Sequence, residues 1–274
     1  MEKNQHVIVA SHRRSGTHLT IDAIINNFRV FSWNPESSII SLDHISSHVP
    51  QQKMSLRELQ EILNSHACLL KTHTHGNLNE FFVGSSHLSA FIQELFQDSK
   101  IIVVHRDGRD VLTSLYFYMQ GFDQKINDTT LSEFIRMKNN FDEGTYPGEM
   151  DRVSYWGFHV DSWLGEDNVL LLSFDDFHNK YVETLKKISQ FIENPLDGKV
   201  KDVKRQKESK VIIHVRRYMQ KLITQRFIRI KYSSVNFRKG ESGDWVNYFS
   251  DDDLKYFNPR AGLVNQALGY QSGR

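Results

Sequence analysis

Cysteine is almost missing from the 274-residue chain: Cys68 stands alone. That excludes an intrachain disulfide and a zinc-type cysteine cluster, and it favours a reducing compartment. An excess of either charge is missing too, since the formal net charge is +1. The whole-molecule field is therefore weak, a nucleic-acid partner is not expected, and any anion must be held by local basic clusters. No window approaches the ~20 apolar residues of a membrane span. Met1 to Gln5 show no basic segment leading to an apolar stretch and cleavage site. Internal repeats and low-complexity segments are absent. The expectation is a soluble, cytoplasmic protein. With 39% hydrophobic residues, the chain suffices for one large-cored α/β domain over residues 1–274.

What is present is a repeated order of apolar run, polar tip and helix. Val7-Ile8-Val9-Ala10 leads into Ser11-His12-Arg13-Arg14-Ser15-Gly16-Thr17-His18-Leu19, and a helix is expected from Thr17 through Ile21, Ile24, Ile25 and Phe28. Ala67 to Leu70 is a second strand, ending in Lys71-Thr72-His73-Thr74-His75-Gly76. Lys100 to Val104 is the clearest buried strand; His105 to Asp110 form a turn before a helix carrying Ser114. Val169 to Ser173 is a fourth buried strand, followed by Phe174. The order predicts a central, mostly parallel sheet flanked by helices. Residues 30–55 read as a long polar loop, 121–150 as loops around a short helical pattern, and 153–164 as a helix whose aromatics pack in the core. Residues 199–210 read as a solvated loop, and 216–232 as either a surface helix or a basic lid. Helices are expected at 181–191, 251–257 and 260–268.

The loop at 11–19 offers helix N-terminal N–H groups, two arginines and two hydroxyls to an anion, although an ordinary βα turn with solvated arginines reads the same locally. It lacks the Gly-x-x-x-x-Gly-Lys-Ser/Thr pattern of a triphosphate loop and the Gly-x-Gly-x-x-Gly of a dinucleotide fold. A single bend glycine suits one terminal anionic group. His73 by itself reads as a polar strand end. His73 and His75 lack a third partner at metal-ligand spacing. His12, His18 and His105 read equally as structural or functional, and Asp110 as a helix cap or a brace for Arg106.

Four motifs, in order, resemble those of sulfotransferases that use 3′-phosphoadenosine 5′-phosphosulfate (PAPS). Arg14-Ser15-Gly16-Thr17 lies where that family has Lys-Ser-Gly-Thr, and Lys71-Thr72-His73 is similar to its Lys-Thr-His segment. Ile101 to Tyr116, with Arg106 and Ser114, resembles the 3′-phosphate motif. Phe237 to Trp245 resembles the C-terminal Arg-Lys-Gly-x-x-Gly-Asp-Trp signature. The resemblance implies a P-loop-like fold and transfer of a sulfuryl group from PAPS, with no metal required, to a hydroxyl or less readily an amine of a small-molecule or saccharide acceptor. It implies His73 as general base with Lys71 and Arg14 stabilising the transferring group, an imidazole of pKa ~6.5 being able to take a proton at neutral pH. It further implies that Arg13, Arg14, Ser15, Gly16, Thr17 and His18 hold the 5′ end, and that Arg106, Ser114, Arg238, Lys239 and Gly240 hold the 3′ phosphate. Leu19 and Phe174 stand where the family commonly places tryptophan and tyrosine near adenine. Competing readings are a nucleotide kinase or hydrolase on a P-loop-like sheet and a non-catalytic anion-binding module. Trp33, Phe81, Phe82, Tyr118 and Phe122 are candidates for an apolar acceptor pocket or for ordinary core. No dimerisation segment is recognisable before the C-terminal signature, which leaves the oligomeric state open.

Overall fold

Every residue of Val7–Ala10 is buried, as expected of a strand covered on both faces, where each Val or Ile side chain contributes about 1.5–3 kcal/mol. In the computed structural model, which describes residues 4–31, 39–43, 56–77, 86–121, 123–138, 149–203 and 241–273, this strand, β1, is the centre of a five-stranded sheet. The others are β2 (Ile39–Ser41), β3 (Leu69–Thr72), β4 (Lys100–His105) and β5 (Val169–Ser173), in the order β2-β3-β1-β4-β5. Every pairing is parallel. Val7 sits opposite both Leu69 and Lys100, so the carboxyl ends of β3, β1 and β4 lie side by side. Ligand crevices of open α/β sheets form at such edges.

The helices are α1 (Thr17–Asn27), α2 (Leu56–Ser65), α3 (Ser86–Asp98), α4 (Gly108–Gln120), α5 (Gln124–Asn127), α6 (Leu131–Arg136), α7 (Arg152–Asp161), α8 (Asp176–Asn179), α9 (Tyr181–Phe191), α10 (Asp251–Phe257) and α11 (Leu263–Ala267). Alternation along the strands divides the core. Val7, Val9, Ile102 and Val104 pack with Ile21 and Ile24 of α1, Phe28 just after it, and Leu185 and Ile188 of α9. Ile8, Ala10, Ile101 and Val103 pack with Leu59 and Leu63 of α2 and Ile92, Leu95 and Phe96 of α3. A third cluster joins α4, α6 and α7 to Trp245, Phe249, Phe257 and Ala261. Gly108 makes one junction possible: a Cβ there would stand 2.7 Å from the Trp156 ring, so its absence lets α7 press against the first turn of α4.

Several expectations change. The span read as a long loop contains β2, an edge strand whose Ile40 pairs with Leu70. β3 runs two residues further than expected, placing Lys71 and Thr72 within the strand because they still pair with Val9 and Ala10. β5 is a half-exposed edge rather than a fully buried strand, with Leu171 37% exposed. The final helical stretch is continuous through a π turn at Asn258–Gly262. Residues 216–232 lie outside the described residues, as do Trp33, Phe81, Phe82 and Phe122.

Candidate active site

The loop after β1 is tightly wound. Arg14 and Gly16 both have left-handed backbones, with φ of 72° and 112°. That conformation costs Arg14 about 1–2 kcal/mol, and nothing at Gly16. A Cβ on Gly16 would come within 2.7 Å of the Phe174 ring, which packs on the loop. Gly16 leaves α1 without a side-chain cap. Ser11 Oγ and Thr17 Oγ1 are hydrogen bonded to each other. Ser15 is buried, and its Oγ has no hydrogen-bond partner among the described residues. A buried hydroxyl left so costs about 1–3 kcal/mol, which a bound anion relieves. An orphaned hydroxyl, an uncapped helix start and neighbouring Arg13, Arg14 and Lys71 fit a phosphate or phosphosulfate group.

The tip of β3 faces this loop. His73 Nδ1 donates to the Ser11 carbonyl at 2.9 Å, which fixes the tautomer and leaves the Nε2 lone pair uncommitted among the described residues. Burial holds the His73 pKa well below 6.5; Lys71 and Arg13 push the same way and Asp43 opposes them. The imidazole is thus shifted down from the ordinary value expected from sequence, first because it is buried and second because Lys71 and Arg13 stand near it. Burial also lowers Lys71.

Asp43, just beyond β2, was not anticipated. Its Oδ1 accepts from the His73 backbone N–H at 2.7 Å and from Thr72 Oγ1 at 3.0 Å; its Oδ2 lies 3.8 Å from Lys71 Nζ. Burial alone raises this carboxyl, but His73, Lys71, the His73 N–H and Arg13 bring it down to about 2. The sequence signal was available in principle: Ile39-Ile40-Ser41 followed by Asp43 repeats the pattern of strand and polar tip. Helix α7 and the two residues after it hold the same segment from the other side. His159 Nε2 donates to the His73 carbonyl at 3.1 Å, Trp163 Nε1 to the Thr74 carbonyl at 3.3 Å, and Ser162 Oγ accepts from Gly76 N at 2.7 Å. Tyr155, Trp156 and Trp163 are buried, as expected, while half-buried Phe158 packs on His75; the helix also pins the histidine's backbone.

The third segment is the β4–α4 turn. Asp107, rather than Asp110, caps α4, accepting from Arg109 N. Asp110 instead accepts from Gly243 N at 2.7 Å and Trp245 N at 3.0 Å, and lies 3.9 Å from Arg106 Nη2. Arg106 Nη2 donates to the Glu241 carbonyl at 2.7 Å, and its guanidinium lies 4.6 Å from the Phe174 ring centre. The described half of the C-terminal signature, Glu241 to Trp245, is therefore clasped to the turn. Arg238, Lys239 and Gly240 lie outside the described residues. Arg14 bridges the loops: its Nε donates to Ser114 Oγ at 3.2 Å while its guanidinium lies 4.7 Å from the Tyr118 ring centre.

Other candidates take varied places. His18 is neutral, its pKa lowered to about 4 by burial, Lys71 and Arg14. Leu19 packs on the α1–α9 core. His12 packs edge-on to His159, and His105 bonds Tyr270. Among the described residues, no group of three His, Cys, Asp or Glu side chains is arranged to hold a metal ion.

These buried imidazoles are expected to make the fold acid-sensitive. Burial lowers His18 and His105 from 6.5 to about 4, and His73 and His159 well below 6.5. The unfolded chain then takes up protons near pH 6.5 that the folded chain refuses, so stability falls with pH from there down to about 4. Thermal unfolding across that window is expected to show Tm dropping by about 10 °C. A flat profile would contradict the burial of these rings.

Comparison with known proteins agrees with the geometry. The sulfotransferase domain family model matches residues 4–261. Sulfotransferase 6B1 of Danio rerio is 28% identical over 159 residues, covering 57% of this chain and 48% of that protein, so the chain matches about half the relative's length. Sulfotransferase 1B1 of Canis lupus familiaris is 26% identical over 269 residues, covering 89% of this chain and 78% of the relative. The fold is shared with mouse sulfotransferase SULT7A1 complexed with PAP, at a TM-score of 0.55 and 18% identity over 99% of this chain and 89% of the other. Retinol dehydratase in complex with retinol and PAP follows, at 0.51 and 17% over 97% and 82%. Because the family match encloses all the segments gathered at the sheet's carboxyl edge, from Ser11 through Lys71 and Arg106 to Trp245, the chain belongs to the sulfotransferase domain family.

Proposed function

We propose that the chain transfers a sulfuryl group from PAPS to a hydroxyl of a small-molecule acceptor. The observation that carries this reading is the His73 side chain, whose Nδ1 is committed to the Ser11 carbonyl and whose Nε2 is left as a base beside Lys71 and Arg13. PAPS supplies, when bound, a sulfuryl group on a phosphate leaving group. His73 Nε2 takes the acceptor's hydroxyl proton as the new S–O bond forms and the bond to the bridging phosphate oxygen breaks. Lys71 and Arg14 offset the charge that gathers on the transferring group and on that oxygen. Arg13 to His18 bind the 5′ end through backbone N–H groups, the Ser15 hydroxyl and the arginines. Arg106 and Ser114, with Arg238, Lys239 and Gly240, bind the 3′ phosphate, a reading supported by Phe174, whose ring packs on Gly16 and on the Arg106 guanidinium. Retinol dehydratase, a fold neighbour, is complexed with retinol and PAP, which supports a small-molecule acceptor.

Thermal unfolding tests the nucleotide part. 3′-Phosphoadenosine 5′-phosphate (PAP) is expected to raise Tm by several degrees at 100 times its Kd, where linkage gives about 2.7 kcal/mol. Adenosine 5′-phosphate, lacking the 3′ group, is expected to do clearly less. Equal stabilisation by both nucleotides would overturn the reading, and magnesium-dependent consumption of ATP would favour a kinase or hydrolase.

A further inference from the structure

We propose that Asp43 is a positioning residue that holds Lys71 and His73 in a single working arrangement, its two carboxylate oxygens dividing between the β3 backbone and the Lys71 ammonium. The inference deepens the sulfuryl-transfer reading and rests on it for its kinetic part. Oδ1 takes two donors, the His73 N–H and Thr72 Oγ1, so the carboxylate cannot swing; Oδ2 is thereby presented to Lys71 Nζ at 3.8 Å, with Ser41 Oγ donating to it at 3.3 Å. The side chains of Lys71 and Asp43 are only 15% and 17% exposed. An amide oxygen would accept from the His73 N–H and the Thr72 hydroxyl equally well, so those two bonds alone do not call for a charge there. The charge is called for by the cations: Lys71 Nζ lies 3.8 Å from Oδ2, and Arg13 from the β1–α1 loop is near enough to act on Asp43 and Lys71 alike. Close like charges in such a place drive an ammonium toward its neutral form. Neutral Lys71 would have no charge to set against the transferring group. The arrangement also explains why a three-residue edge strand belongs to the site, since the β2–β3 pairing of Ser41 with Lys71 carries Asp43 to the tip of β3.

The test compares wild type with Asp43→Asn, which keeps the shape and loses the charge, and Asp43→Glu, which restores it. Lysine side chains are reductively methylated with 13C and titrated by NMR, with Lys71→Gln assigning the Lys71 resonance. In Asp43→Asn the Lys71 titration is expected to move down by about one pH unit, and in Asp43→Glu to return toward wild type. An unmoved titration in Asp43→Asn overturns the proposal. In steady-state transfer from PAPS, Asp43→Asn is expected to lose on the order of 100-fold in kcat with KM for PAPS little changed. Unchanged kcat with raised KM overturns it as well. Should Asp43→Asn fail to fold, Asp43→Glu decides alone: kcat is expected to follow the Lys71 titration, both near wild type or both shifted, and a shifted titration with wild-type kcat, or a wild-type titration with lost kcat, sinks the positioning role. If wild type neither binds PAP nor transfers sulfuryl, the functional reading fails, while the NMR titration still judges Asp43.

Discussion

Replacing His73 with asparagine is expected to lower kcat by roughly 100- to 10,000-fold while PAP binds within a few-fold of wild type. Asparagine is the informative choice. Its side-chain amide can still donate toward the Ser11 carbonyl, which His73 Nδ1 reaches at 2.9 Å, so the β1–β3 connection is kept while the base is lost. Single-turnover assays with a responsive alcohol and isothermal titration with PAP separate the two effects, and retained turnover would remove His73 from the base role. The pH profile carries a second check. A base must be unprotonated to act, and burial, Lys71 and Arg13 hold its pKa well below 6.5. The acid limb of kcat/KM in wild type should therefore fall below pH 6.5, and a limb at or above that value would point to a different group.

Arg106→Ala is expected to weaken PAP by about 10- to 100-fold and to leave adenosine 5′-phosphate almost unaffected, as loss of one charge-assisted phosphate contact of about 1.5–3 kcal/mol requires. The guanidinium is buried against Phe174 and donates to the Glu241 carbonyl, with Asp110 beside it, so it is held before any ligand arrives. That preorganisation is why the effect should appear in affinity rather than as slow ordering. Because Arg106 also ties down the C-terminal signature, Tm without nucleotide must be measured beside Kd. Equal weakening of both nucleotides would mean that the arginine braces the fold and does not read the 3′ phosphate.

Much of this site was legible from residue order. Three apolar runs, each ending in basic or imidazole residues, place Arg13, Lys71, His73 and Arg106 along one edge as soon as the sheet is parallel, and Gly16 marks the bend. What escaped reading depended on tertiary placement. β2 contributes just Ile39 and Ile40 as an apolar signal, too short for any periodicity, and it becomes a strand by pairing with β3. Asp43 is then one acid among many until that pairing brings it to Lys71. Helix α7 reads as core because Tyr155 and Trp156 are core; its hold on the His73 carbonyl comes from His159, whose role requires knowing what lies opposite. The perturbed His73 pKa follows from enclosure, which no local stretch encodes.

The register of β1 has a kinetic consequence. Val7 is paired with Leu69 on one side and Lys100 on the other, partners brought in from far along the chain, and Arg106 is completed by Glu241 from further still. Contacts of such long range close large loops before they return any stability, and chains rich in them cross high barriers slowly. Ser11, Lys71, His73 and Arg106 consequently share no local precursor. During refolding, PAP-binding capacity should emerge with the slow phase that completes the sheet, well after helix content has recovered.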